Sequence, residues 1–397
     1  MFSTFQTSSK SRMPLQPASI DNYLRRFLLA LSGCLLFLAL DSLFSSPTLA
    51  AEKLVFRYAI FEQSLPIADL RQYAETQKIS SDLKDFLGYL SPSEQRMLQE
   101  ALQVKMSLDL VALDKVLDTD IGKKILKSVS SAIARRDNAG IQALRAAVIL
   151  GAKSPEGLGI ISFLEAYPSK RLVIDVPKAL EVLDDSSLYP DSSEVPPKDN
   201  LSSTGLWQLE VKYQMIATEG KQYEACLFGD SITAELGNSL GDRTYNFALD
   251  GLSTISLVEQ LKLLIPTNVK CQKTVIAIGG NDAWYGLSDE VFINKLKESI
   301  ALVRTMGTQQ IILIPAFYST VAASFDPSIA APLKRVEEIN VLIDKVAATE
   351  KVPVEAEGIQ PLYQDNALKE NLTSDGDHLN AAGLEIYRQA LLKILGH

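Results

Sequence analysis

The last ~190 residues predict an α/β fold, a three-layer sandwich around a parallel sheet of five strands, preceded by a smaller, mostly helical domain. Three observations carry this. In the C-terminal half, short β-branched runs alternate with segments whose apolar residues recur at helical spacing. Upstream, successive amphipathic helical faces dominate and strand-like runs are few. Between the two lies a stretch poor in apolar residues and rich in Pro, Ser and Asp. A chain of 397 residues also exceeds the ~100–200 typical of one domain.

The N-terminus has the pattern of an export signal over residues 1–50. Arg25 and Arg26 precede an apolar run from Phe27 to Leu40, and Thr48-Leu49-Ala50 offers small residues for cleavage before Ala51. The apolar run of 14 residues is shorter than the ~20 that a spanning helix needs. Leu31-Ser32-Gly33-Cys34 resembles a bacterial lipobox, but Leu35-Leu36-Phe37-Leu38 follows where a polar tether is usual. Cleavage and export, to a periplasmic or extracellular location, are therefore expected. Retention as a membrane anchor stays open.

Residues 51–183 read as the helical accessory domain. Leu54-Val55-Phe56-Arg57-Tyr58 and Ile60 to Ile67 are short strands. Helical faces follow at Ile67, Leu70 and Tyr73, at Leu83, Phe86, Leu87 and Leu90, at Ile121, Ile125 and Val129, and at Leu144 and Val148. Ser91-Pro92-Ser93-Glu94 is a helix start. Arg171 to Val176 is a late strand. Residues 184–205 read as an exposed linker, with Pro190, Ser192-Ser193, Pro196-Pro197 and Ser202-Ser203.

Residues 206–397 hold the predicted parallel sheet. Its strands are Ala225 to Phe228, Arg243 to Leu249, Thr274 to Ile278, Gln310 to Ile314 and a weaker Val352 to Ala356. Helices between them share faces at Ile255, Val258 and Leu261, at Phe292, Leu296, Ile300 and Val303, at Ile339, Ile343 and Val346, and at Leu384, Tyr387 and Leu391. Such sheets bind ligands beyond the C-terminal strand ends, where the strand order reverses.

The chemistry-bearing residues cluster at those ends. The first strand ends in Gly229-Asp230-Ser231, which by itself suits a turn and a helix cap. The second ends near Gly251 and the third in Gly279-Gly280-Asn281-Asp282. A bare glycine N–H and a neutral amide are the donors that stabilise an oxyanion. Near the C-terminus stands Asp375-Gly376-Asp377-His378. A turn at Gly376 can bring the Asp375 carboxylate to one imidazole nitrogen while the other faces a serine hydroxyl. The only histidines are His378 and the terminal His397, so His-based catalysis falls on His378. With so few His and Cys a transition-metal site is not expected, and no cofactor is. The net charge of −9 without a basic stripe argues against a nucleic-acid partner. Cys226 and Cys271 are expected as two buried thiols, about five residues out of register on neighbouring strands, beyond the ~7 Å Cα reach of a bridge.

The ordered blocks Gly229-Asp230-Ser231, Gly251, Gly279-Gly280-Asn281-Asp282 and Asp375-x-x-His378 together resemble the SGNH (GDSL) hydrolase superfamily over about Glu224 to Leu395. The resemblance implies a flavodoxin-like sandwich, a Ser231–His378–Asp375 catalytic triad, and an oxyanion hole from the Ser231 and Gly251 N–H groups with the Asn281 side chain. It implies a carboxylic ester hydrolase acting on a small-molecule or envelope ester. An acyltransferase to a sugar or lipid hydroxyl, and a non-catalytic envelope binding protein, are the alternatives. Failure of a fluorophosphonate to label Ser231 would favour the last. As general base, His378 is expected to titrate near ~7. Trp284 and Tyr285 are candidate substrate-binding residues, and Asp230 and Asp282 candidate loop-ordering ones. Oligomeric state is not legible.

The accessory part also resembles a family, the helical domain of unknown function that precedes secreted cyanobacterial α/β-hydrolases. The resemblance rests on Phe56-Arg57-Tyr58, the Leu83 to Leu90 face, Ala143 to Ala147, Pro155 to Leu158 and Ile174-Asp175. An α/β-hydrolase needs a Gly-x-Ser-x-Gly elbow. Gly229 to Thr233 and Gly251 to Ile255 both lack its final glycine.

Overall fold

The computed structural model describes residues 51–58, 61–134, 140–189, 195 and 198–396. The expected export segment, the lipobox-like Cys34, His397 and most of the Pro-rich stretch lie outside them. Among the described residues no helix is long and apolar enough to cross a membrane.

The N-terminal region opens with β1 (Lys53–Tyr58) and β2 (Phe61–Pro66). It continues through α1 (Ile67–Thr76), α2 (Ser81–Leu87), α3 (Pro92–Gln103), α4 (Leu110–Asp118), α5 (Asp120–Ser131), α6 (Gly140–Ala152), α7 (Ile160–Ala166), β3 (Arg171–Asp175) and α8 (Val176–Leu183). The strands form one sheet, β2 antiparallel and β3 parallel to β1. Helix α3 starts as its sequence dictates. The Ser91 side chain accepts from the Glu94 N–H, Glu94 reaches back to the Ser91 N–H, and Pro92 occupies the first turn, where a missing N–H costs nothing. The helices bury their apolar stripes in one core around Leu83, Leu113, Val116, Leu117 and Ile125.

After a 3₁₀ turn at Leu201–Ser203, α9 (Gly205–Thr218) leads into the second region. This helix is apolar on two sides. Leu209, Tyr213 and Ala217 complete the N-terminal core, while Trp207 and Val211 enter the next one. Its interior-type sequence fits burial on both faces. The linker ends are likewise anchored: Leu188 is buried in the first core and Leu201 in the second. The exposed connector expected over 184–205 is thus pinned at both ends by its few leucines. The Tyr213 hydroxyl accepts from the Asp109 N–H, Lys221 pairs with Asp109, and Asn238 donates to the Ser107 carbonyl, so the two regions share polar contacts.

The second region contains β4 (Gln222–Gly229), α10 (Ser231–Ala234), β5 (Thr244–Asn246), α11 (Thr254–Leu264), β6 (Lys270–Ala277), α12 (Gly280–Trp284), α13 (Asp289–Thr305), β7 (Gln310–Ile314) and α14 (Leu333–Glu350). A two-stranded ribbon, β8 (Tyr363–Gln364) with β9 (Ala367–Leu368), and α15 (Ala381–Leu395) end it. The main sheet is parallel with order β5-β4-β6-β7. Alternate residues face opposite layers. Cys226, Phe228, Ile276 and Leu313 point into a core shared with α11, α13 and α14. Leu227, Val275, Ala277 and Ile312 point into one closed by α15. The chain leaves β4 for β5 on one side and returns to β6 on the other, so the order reverses at the C-terminal end of β4.

Four strands form this sheet, where five were expected. The fifth segment reaches β7 but pairs at Val354 alone, opposite Leu313. The Leu313 N–H donates to the Pro353 carbonyl, and the Glu355 N–H to the Leu313 carbonyl. The next bonds of a parallel ladder would have to come from residue 353 on one side and residue 315 on the other, and both are prolines with no N–H to give.

The cysteines also depart from expectation: Cys226 and Cys271 form a disulfide, with Cα atoms 5.8 Å apart. Strand β6 begins at Lys270, four residues before the run of β-branched residues that marks it in the sequence, so Cys271 lies within the sheet. The ladder pairs Tyr223 with Cys271 and resumes at Ala225 with Lys273, leaving Glu224 and Gln272 without ladder partners. The bond closes a loop of 45 residues in sequence, which constrains the unfolded chain by about 4 kcal/mol. The double variant Cys226→Ala/Cys271→Ala should lose about that much in denaturant unfolding. An unchanged midpoint and slope would contradict it.

Candidate active site

Ser231 sits at the reversal point, at the start of α10 just past β4. Gly229 lets the chain turn there, because a Cβ would meet Thr233 Oγ1 at 2.4 Å and the Ala277 carbonyl at 2.9 Å. The Ser231 Oγ lies 2.9 Å from His378 Nε2, and His378 Nδ1 lies 2.9 Å from Asp375 Oδ2. With the carboxylate accepting the Nδ1 proton, Nε2 is left to accept the hydroxyl proton.

The turn that bears His378 is held from several sides. Asp375 Oδ1 accepts the backbone N–H groups of Asp377 and His378 at 2.9 and 2.8 Å. The Thr373 hydroxyl donates to the His378 carbonyl and accepts from the Gly376 N–H. Gly376 has φ +95° and its carbonyl accepts from the Thr320 N–H, and a Cβ there would stand 2.8 Å from that of Ala323. Only glycine meets both demands. Asn380 then caps α15.

Charge follows this geometry. Burial tends to raise the pKa of Asp375, but the hydrogen bonds and charge of His378 hold it well below the usual carboxylate range. Burial works to lower that of His378, yet the Asp375 hydrogen bond and charge, with Glu235 and Asp377 adding, carry it well above the ordinary histidine value. The titration expected near ~7 therefore shifts to higher pH.

The other predicted residues lie around a cleft beside Ser231. Asn281 and Trp284 line it with Phe317, Ala331 and Val336. The Asn281 amide donates to the Leu252 carbonyl at 3.2 Å, next to Gly251. Gly251 has φ +73°. Neither it nor Tyr285 lines the cleft. Tyr285 is instead committed behind the wall, its hydroxyl donating to the Gly251 carbonyl at 2.9 Å. Trp284 remains on the cleft, with Nε1 donating to the Pro327 carbonyl and so tying α12 to the loop after β7.

Asp282 orders the neighbouring loop. Fully buried, its carboxylate accepts the Thr254 N–H at 3.0 Å and the Thr254 hydroxyl at 2.5 Å, and burial pushes its pKa to about 7. Asp199 does the same from the linker, accepting the Ser253 hydroxyl. In the sequence Asp199 is one Asp among linker Asp and Ser residues and carries no pattern that marks it. Asp377, in sequence one residue of the Gly376 turn, lines the cleft, as does Asp230. Among the described residues no group of three His, Cys, Asp or Glu is placed to hold a metal ion.

Comparison with known proteins bears on both regions. Residues 227–386 match the GDSL-like lipase/acylhydrolase family, and residues 50–175 match a family described as alpha/beta hydrolase of unknown function (DUF1400). The first match supports a hydrolase. No curated protein matches the chain. Similar solved structures include a GDSL-like lipase from Bacteroides thetaiotaomicron, at 17% identity and TM-score 0.38, covering 45% of this chain and 88% of that one. The lipase/acylhydrolase from Enterococcus faecalis shows 23% identity and TM-score 0.36, covering 44% and 96%. A lipolytic G-D-S-L protein from Veillonella parvula shows 17% and 0.35, covering 45% and 100%.

Proposed function

We propose that this chain is an exported carboxylic ester hydrolase that works through an acyl-Ser231 intermediate. The observation that carries the reading is the unbroken relay from Ser231 Oγ through His378 to Asp375, with both links at 2.9 Å. As the serine oxygen attacks the ester carbonyl carbon, its proton passes to His378 Nε2. The imidazolium so formed is stabilised by Asp375. The carbonyl oxygen becomes an oxyanion, which the Ser231 N–H and the Asn281 amide on the cleft would receive. Collapse expels the alkoxide, which takes the proton from Nε2, and leaves the acyl-serine. Water then repeats the sequence, giving its proton to His378 and releasing free acid and Ser231. Export is supported by the Cys226–Cys271 disulfide, since such bonds persist in oxidising compartments.

The test is pH-stat titration of the purified chain with 4-nitrophenyl butyrate. Free acid should form at a rate that rises with pH as His378 loses its proton, with the midpoint above the ordinary histidine value. No acid release, or a profile flat from about pH 5 to 9, would overturn the reading. Faster product formation on added glycerol than acid release would replace water by an alcohol acceptor.

A further inference from the structure

Two carboxylates that the relay does not use face the substrate side of Ser231. Asp230 precedes the serine in the chain, is 5% exposed and lines the cleft. Its Oδ1 is buried and accepts no hydrogen bond. An unsatisfied buried carboxylate oxygen is costly, so a native protein keeps one only for a reason. Asp377 lines the same cleft from the opposite end of the domain. Its backbone N–H is spent on Asp375, and among the described residues no Lys or Arg forms an ion pair with its side chain. Burial and then the charge of Asp377 push Asp230 up to about 7, and burial, with the charge of Asp375 adding, pushes Asp377 up to about 6, in both cases against the opposing charge of His378. Among the described residues lining the cleft none is Lys or Arg. The cation nearby is His378 itself when protonated, and it must be neutral to act as base. Trp284 and Phe317 supply aromatic wall on the same cleft, which suits a cation.

We propose that Asp230 and Asp377 form an ammonium subsite beside Ser231, so that the preferred ester carries a protonated amine within a few bonds of its carbonyl. This deepens the hydrolase reading and rests on it. The amine's charge would relieve the repulsion between the two carboxylates, which would serve as its acceptors. A carboxylate or phosphate in the same place would meet two like charges.

The experiment measures the rate at which Ser231 is labelled by three fluorophosphonates of equal length, ending in ammonium, methyl or carboxylate. Labelling needs no turnover: Ser231 Oγ displaces fluoride from phosphorus while its proton passes to His378. Each ending is placed once on the alkyl arm, in the acyl position, and once on the alkoxy arm, so the preferred arm shows which half of the ester bears the amine. The ammonium probe should react at least about tenfold faster than the methyl probe, and the carboxylate probe slowest. Asp377→Asn keeps the backbone bond to Asp375 and should cut the ammonium-to-methyl ratio about tenfold, while Asp377→Lys should invert the order. A merely structural role would change all three rates together. Equal wild-type rates, or a ratio unmoved in Asp377→Asn, overturn the subsite and leave the hydrolase reading standing. No labelling by any probe overturns both.

Discussion

Asp375→Asn is expected to lower kcat about ten-thousandfold while leaving the fold intact. The amide keeps the shape of the carboxylate and can still accept the Asp377 and His378 N–H groups through its oxygen. It cannot both do so and hold the imidazole in the tautomer that leaves Nε2 free, and it provides no charge for the imidazolium. The residual activity carries a second signature. The Asp375 charge and hydrogen bond oppose the burial of His378 and raise its pKa. Their loss should move the rising limb of the pH–rate profile to lower pH. A variant that keeps wild-type kcat, or whose limb moves to higher pH, would contradict the assigned role. Stopped rate measurements across pH on a correctly folded sample decide it.

Asn281→Ala is the second large effect, an expected loss of about 10²–10³ in kcat with little change in KM. The amide stands on the cleft beside Ser231, and its Nδ2 bond to the Leu252 carbonyl holds it against the Gly251 loop. Charge develops on the carbonyl oxygen only as the serine attacks, so a donor aimed there acts on the transition state and not on substrate binding. An Asn281→Ala enzyme whose loss is confined to KM would show that the side chain merely binds the ester. Steady-state kinetics with one short-chain ester separates the two.

The relay was legible in the sequence because its parts sit where backbone rules place them. Ser231 follows a buried strand, Asn281 follows another, and Asp375 precedes His378 by three residues across a glycine that must take positive φ. Scarcity helped, since a chain with two histidines offers little choice. Other features needed tertiary facts. The disulfide is not legible in the sequence because Cys226 pairs in register with Thr274, three residues from Cys271, and the break in the ladder at Glu224 and Gln272 that accompanies the bridge has no sequence pattern. Val352 and Val354 signal a fifth strand, but Pro353 and Pro315 remove the donors that would extend it in either direction. Helix α9 has two apolar sides that serve two cores, which single-face periodicity does not mark. Tyr285 could not be told from Trp284 by proximity to Asn281, since only the fold shows its hydroxyl spent on Gly251. Asp377 stood in plain view inside the motif, and only its place on the cleft gives it meaning.

The most direct test of the central claim is the mass of the Ser231 peptide after the protein is mixed with 4-nitrophenyl butyrate and quenched in acid within the first turnover. A butyryl adduct on Ser231 in the wild type, absent from Ser231→Ala and absent from the wild type after long incubation, is the predicted result. Steady release of butyrate with Ser231 unmodified at every time, or an adduct on another side chain, would contradict it.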